Sequence, residues 1–171
     1  MIIIISKAID RVAYGMFVAG VFAGIIMTAV VFISTLMRYV LNMPLHFSNE
    51  LAGLLFLSIT FLTIPHVLNT DRHIGIDLVV NRLPVRFQGF VGSLASLILV
   101  IFSAIFVYQA WDFTAFSWTI DARSDISGLL LWPWMLLMPL GFMMCIIITL
   151  KKMLMACVDR DIQTSDEELA P

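Results

Sequence analysis

The sequence predicts an all-α integral membrane protein with four transmembrane helices, both termini cytoplasmic, and a short amphipathic interfacial helix between the second and third. Three observations carry this. Of 171 residues, 61% are hydrophobic and only 13% charged, about half the charged share of a soluble domain, so lipid is the solvent for most of the chain. Apolar runs at about residues 12–37, 51–68, 87–110 and 126–150 contain no Asp, Glu, Lys or Arg. Finally, Lys7, Arg11, Arg72, Arg82, Arg86, Lys151, Lys152 and Arg160 fall in the termini and the middle connection, against only Arg38 and Arg123 in the other two. That asymmetry puts both ends in the cytoplasm and the first and third connections outside.

The chain reads as one four-helix domain over residues 1–158, followed by an acidic cytoplasmic tail, 159–171, too poor in apolar residues to fold. Met1 to Arg11 is an apolar patch interrupted by Lys7, Asp10 and Arg11. The 26 uncharged residues from Val12 to Met37 give about 39 Å of helix, ample for a ~30 Å hydrocarbon core. A cleaved signal peptide would have a shorter apolar region, so a retained first helix is expected. Pro44 marks the first turn. The second span carries Pro65 and His66 near its end, where the missing backbone donor should loosen the last turns. The third opens on Gly89, Gly92, Ser93, Ala95 and Ser96; the fourth carries Pro133 and Pro139 and stops at Lys151-Lys152. Trp111, Trp118, Trp132 and Trp134 flank the third connection, which suits an interfacial aromatic belt or a docking surface for an external partner.

Chemistry is sparse. There is no nucleophilic triad, no carboxylate pair and no metal-ligand spacing, and the two cysteines, Cys145 and Cys157, read as unpaired. Ion and proton pathways through membranes are marked by buried ionisable groups, and the spans hold none, so the chain is not expected to be an enzyme, to bind a cofactor or to carry a substrate alone. A net charge of −2 gives no reason to expect nucleic acid. Of His46, His66 and His73, only His66 lies within a span, which leaves a membrane haem without its second ligand.

Small residues are the stronger signal. Gly20 and Gly24 in the first span, and Gly89 and Gly92 with their serine partners in the third, repeat the four-residue spacing that lets helix backbones approach closely. In the middle connection, Ile76, Val79, Val80 and Leu83 form one apolar stripe at helical spacing, with Asp77 and Asn81 on the polar face and Pro84 as the stop. This predicts an interfacial helix, with Arg72, Arg82 and Arg86 placed to meet lipid headgroups. At the start of the second span, Ser48 is placed to cap the helix and Glu50 to complement its dipole.

Together these residues resemble the small, DctQ-type membrane subunit of tripartite ATP-independent periplasmic (TRAP) transporters. The resemblance rests on Asn49-Glu50-Leu51-Ala52, on His73-Ile74-Gly75-Ile76-Asp77-Leu78 leading to Leu83-Pro84, and on Pro133-Trp134 followed by Pro139-Leu140-Gly141. Gly53 departs from the pattern, standing where a larger, often basic, residue is frequent. The resemblance implies a bacterial inner-membrane subunit that scaffolds a large sodium-coupled transport subunit. It also implies help in docking a periplasmic substrate-binding protein, for uptake of an organic acid such as a dicarboxylate or sugar acid. Arg38, Asp112, Asp121, Arg123 and Asp125 are then the candidate docking face, and Asn49, Glu50, His73, Asp77 and Pro84 order the fold and its interfacial helix. Two other classes compete: a haem-bearing membrane anchor, and a self-contained homo-oligomeric exporter using Glu50.

Overall fold

The structure, a computed structural model, describes residues 2–43, 45–70 and 85–168, with side chains at 6–43, 45–70 and 91–155. Its helices are α1 (Ile2–Val40), α2 (Ser48–Asn69), α3 (Val85–Thr119), the single turn α4 (Trp132–Met135) and α5 (Leu137–Glu168). Four helical stretches, Ser6–Val40, Ser48–Asn69, Val91–Thr119 and Trp132–Met155, are long and apolar enough to cross a membrane. Helices are the natural solution there, because lipid offers backbone amides no other partner. Hydroxyls follow the same logic: Thr28, Thr35, Ser58, Thr60, Ser96, Thr114 and Thr149 each donate to the carbonyl four residues back.

The helices stand in the order α1, α2, α5, α3. α1 packs along α2, α2 against α5, and α5 along α3. In the most apolar window of each span, a third of α5 is buried but only 6% of α1 and of the α3 stretch, so α2 and α5 are inner and α1 and α3 are edges. α1 also meets α5, where Ala13, Met144 and Ile148 are buried with Ile9, Met16 and Leu68 around them. Between α2, α3 and α5 lies an aromatic cluster: Phe106 and Phe142 have ring centroids 4.2 Å apart, and Phe61 lies 5.9 Å from each. Ser103 of α3 is fully buried, and its hydroxyl has no partner.

Two backbone contacts need small residues. A Cβ on Gly20 would stand 2.8 Å from Thr63 Cγ2 and 3.3 Å from Leu62 Cβ, whereas one on Gly24 would meet Ile59 no closer than 3.7 Å. Of these two glycines, Gly20 is therefore the one pressed against α2. Gly141 of α5 lies directly on the Phe61 carbonyl of α2, a carbonyl that Pro65 deprives of its helical donor. Around Gly92 a Cβ would meet open space.

Several boundaries differ from the sequence expectation, and α1 already begins at Ile2, ahead of the uncharged run that starts at Val12. α3 continues past residue 110 to Thr119, since Tyr108, Gln109 and Asp112 are polar but contain no helix breaker. It stops where Asp121 takes a left-handed φ of 48°, with Asp121 N donating to Trp118 O and Ala122 N to Ser117 O, a Schellman arrangement. The fourth span begins at Trp132 and not at 126: the apolar run Ile126–Leu131 belongs to a hairpin-like loop, with Arg123 bridged to Leu130 and Gly128 at φ 65°. Pro139 explains the break between α4 and α5, because it removes the donor for Met135 O. The last helix runs on to Glu168 where a disordered tail from 159 is expected; residues 153–168 contain neither Gly nor Pro, and extending an existing helix costs far less than starting one.

Candidate functional site

The α3–α4 loop, residues 120–131, is tied to α2 by a single carboxylate. Glu50, in the first turn of α2, accepts from Ser127 Oγ at 2.6 Å, Ser127 N at 2.9 Å and Ile126 N at 3.1 Å, and from the Ser124 hydroxyl. Three of these donors, the two hydroxyls and Ser127 N, fall on Oε2, and Ile126 N falls on Oε1; an ionised carboxylate has room for all four. Ser124 Oγ and Ser127 Oγ also lie 2.9 Å apart, and Gly128 N donates to Ser124 O at 3.1 Å. Glu50 therefore does more than complement a helix dipole: it holds the tip of a loop more than seventy residues away.

Ser48 does not cap α2. It is the first helical residue, and its hydroxyl instead meets Ser34 Oγ of α1 at 2.7 Å and Leu45 O at 2.8 Å. Both serines are buried, and a hydroxyl pair between apolar helices has nowhere better to turn.

The candidate docking residues gather at this same end. Arg123 Nη2 lies 3.0 Å from Asp121 Oδ2, with both side chains more than half exposed; a surface pair of this kind adds little stability and leaves both groups accessible. Asp125 is exposed on the loop, Arg38 on the last turn of α1, and Asp112 on α3, two turns before its end. Trp118 and Trp132 meet edge to face at 4.3 Å, closing the base of the loop. Asn49 is exposed beside Glu50.

A second clasp sits at the opposite end, and sequence reading missed it. Asp10 Oδ1 of α1 accepts from Asn69 Nδ2 of α2 at 2.8 Å and from Lys151 Nζ of α5 at 2.5 Å, while Lys152 Nζ donates to Leu68 O at 2.5 Å. The Lys151 side chain is only 14% exposed. Asp10 read as an interruption of an apolar patch; its signal was an acid just before one span and two lysines just after another, which even-numbered crossings bring together. One turn inward, the His66 ring lies against Phe17 at 4.7 Å and Tyr14 at 5.7 Å, its Nδ1 buried without a hydrogen-bond partner. On α2 the two clasps are about 28 Å apart at 1.5 Å per residue, one hydrocarbon thickness.

Other expected sites lie beyond these contacts. Arg72, His73, Asp77, Arg82 and Pro84, and with them the interfacial helix, fall outside the described residues. Arg86 and Gly89 belong to the first turns of α3, whose side chains are likewise outside the description.

Residues 27–158, more than three quarters of the chain, match the profile of the family described as tripartite ATP-independent periplasmic transporters, DctQ component. The chain belongs to the DctQ family. This DctQ component is 24% identical, over 61% of its length and 63% of the relative's, to a protein of Haemophilus influenzae named as a TRAP transporter small permease. It is 33% identical to the sialic acid TRAP transporter permease protein SiaT of H. influenzae, over 54% of its own length and 15% of SiaT. It is 27% identical to the isethionate TRAP transporter permease protein DctMQ of Oleidesulfovibrio alaskensis, over 68% of its own length and 20% of that protein. The aligned part of the DctQ component thus spans less than two thirds of each of these relatives.

Proposed function

We propose that this chain is the small subunit of a TRAP transporter in the bacterial inner membrane, scaffolding a large sodium-coupled subunit and helping to receive a periplasmic binding protein during uptake of an organic acid. The observation that carries this reading is where its charge sits. Within the described spans, Asp, Glu, Lys and Arg are confined to the ends, where they clasp helices or face outward, and the lengths between are apolar. Such a chain has the means to hold a partner but not to move an ion. Two relatives support it from another direction: in SiaT and DctMQ the matching segment is a minor part of a much longer permease chain, which fits a segment that works beside a large transport unit.

With both termini cytoplasmic, as the lysine and arginine distribution favours, the Glu50 end faces the periplasm and presents Arg38, Asp112, Asp121, Arg123 and Asp125 to the binding protein. The middle connection then lies at the cytoplasmic interface, where its arginines meet anionic lipid. Gly92 and its open surroundings on edge helix α3 are free for close approach by a partner helix.

The test is to tag the C-terminus, purify the chain gently from its native membrane and identify what accompanies it. A large multi-span membrane protein in equal amount is expected; a bare homo-oligomer would sink the reading. Docking is tested separately with Arg123→Glu combined with Asp121→Asn, since asparagine tolerates the left-handed conformation that Asp121 occupies. Unchanged transport in that variant would remove the docking role.

A further inference from the structure

The loop that carries Asp121, Arg123 and Asp125 has little to hold its tip in place. Its own backbone contributes two bonds, Leu131 N to Ala122 O and Ser124 N to Leu129 O, which make the Arg123–Leu130 bridge near its base, and one within the tip, Gly128 N to Ser124 O. Ile126, its bulkiest tip residue, is 64% exposed and so anchors nothing. An open groove of about 580 Å³ separates the tip from the α1–α2 connection, running between Leu45–Phe47 and Ile126–Leu129. What fixes the tip is Glu50, which reaches across from α2 and takes two backbone amides and two hydroxyls. The amides of Ile126 and Ser127 set the direction of the backbone at the turn, so the carboxylate determines where the residues on either side of it point.

We infer that Glu50 is a positioning residue for docking: it holds the 124–127 turn in one conformation, so that Asp121, Arg123 and Asp125 meet the binding protein as a preformed array. Glu50 acts through the loop, since all four of its bonds go to residues of the turn, three of them to Oε2. The gain is preorganisation, since a loop ordered before the encounter loses less freedom on binding. This rests on the docking reading above.

The experiment uses the complete transporter, with the large subunit and the binding protein, in proteoliposomes, and follows uptake as the binding-protein concentration is raised. Glu50→Gln keeps the shape but replaces an acceptor oxygen with a donor. It should raise the half-saturating concentration of binding protein about tenfold, the scale of one charge-assisted hydrogen bond, and leave the maximal rate and the subunit ratio unchanged. Hydrogen exchange at the Ile126 and Ser127 amides should quicken in the same variant. Ser127→Ala, which removes one hydroxyl donor and none of the fold, should shift the half-saturating concentration the same way by a smaller factor. If Glu50→Gln and Ser127→Ala leave half-saturation unchanged, or lower only the yield of assembled complex, the positioning role is overturned. The Arg123→Glu, Asp121→Asn variant separates the two ideas. If it raises half-saturation while Glu50→Gln does not, docking stands and positioning falls. If neither variant raises it, docking falls and takes the positioning role with it.

Discussion

Gly141 of α5 lies against the carbonyl of Phe61 in α2, the one carbonyl in that helix that Pro65 leaves without a helical donor. The carbon and Cβ of Phe61 would be 3.2 and 3.3 Å from a Cβ built on Gly141, and its oxygen closer still. The obstacle is backbone, so it has no rotamer to move into. Proline and glycine thus act as one device on two helices: one exposes a carbonyl, the other lets the neighbour close over it.

Gly141→Ala should therefore push α2 from α5 and lower stability by about 1–3 kcal/mol, as overpacking does. Gly53→Ala, at an open position, should gain up to about 1 kcal/mol from helix propensity. Thermal unfolding of the purified chain in detergent distinguishes the two, and equal midpoints would mean the α2–α5 contact is looser than described.

Asp10→Ala leaves Lys151, which is mostly buried, without its partner and Asn69 without its acceptor. A loss of about 1–2 kcal/mol is expected, below the value for a deeply buried pair because Asp10 is itself partly exposed. Adding Lys151→Met should recover part of that loss, and a double-mutant cycle measures how much. Strict additivity would show that the ion pair contributes nothing.

Asp121 has a backbone duty separate from its charge. Asp121→Val, forced into a left-handed φ, should cost about 1–2 kcal/mol, while Asp121→Asn should be close to neutral in stability. A denaturation series on the two variants checks this, and only the asparagine form is then a fair probe of docking.

Ser103→Ala removes a buried hydroxyl that has no partner. Stability should hold or rise by up to about 1 kcal/mol, since the desolvated hydroxyl brings no compensating bond. A fall of that size would reveal a partner acquired in the membrane.

For the proposed orientation, a fluorescent protein fused after Pro171 should fold and shine in cells, and alkaline phosphatase at the same point should stay inactive. The opposite pattern would place the Glu50 clasp in the cytoplasm and end the docking proposal.

The four spans were legible because a run of eighteen or more apolar residues has few alternatives in water or lipid. Helix ends were less so. Asp112 looked like the end of the third span, yet a helix satisfies its own backbone and need not stop where the hydrocarbon does. Ile126–Leu131 looked like part of the fourth span because hydropathy cannot distinguish an apolar loop from the helix that follows it; Gly128 was the overlooked mark. Gly20 and Gly141 appeared as small residues in familiar spacing or motif, but their particular contacts with Thr63 and Phe61 depend on the order in which helices neighbour one another. The clasps were hidden for the same reason. Glu50 meets Ser124 and Ser127, and Asp10 meets Lys151, across separations that only topology closes.

The placement of those clasps has a mechanical consequence. Helices joined only by greasy contacts slide along one another easily, since one apolar register is much like the next. Here α1, α2 and α5 are pinned at one rim through Asp10, and α2 is pinned to the α3–α4 turn at the other through Glu50. An axial push on one helix is therefore shared by its neighbours, and the row behaves as a braced panel that resists shear.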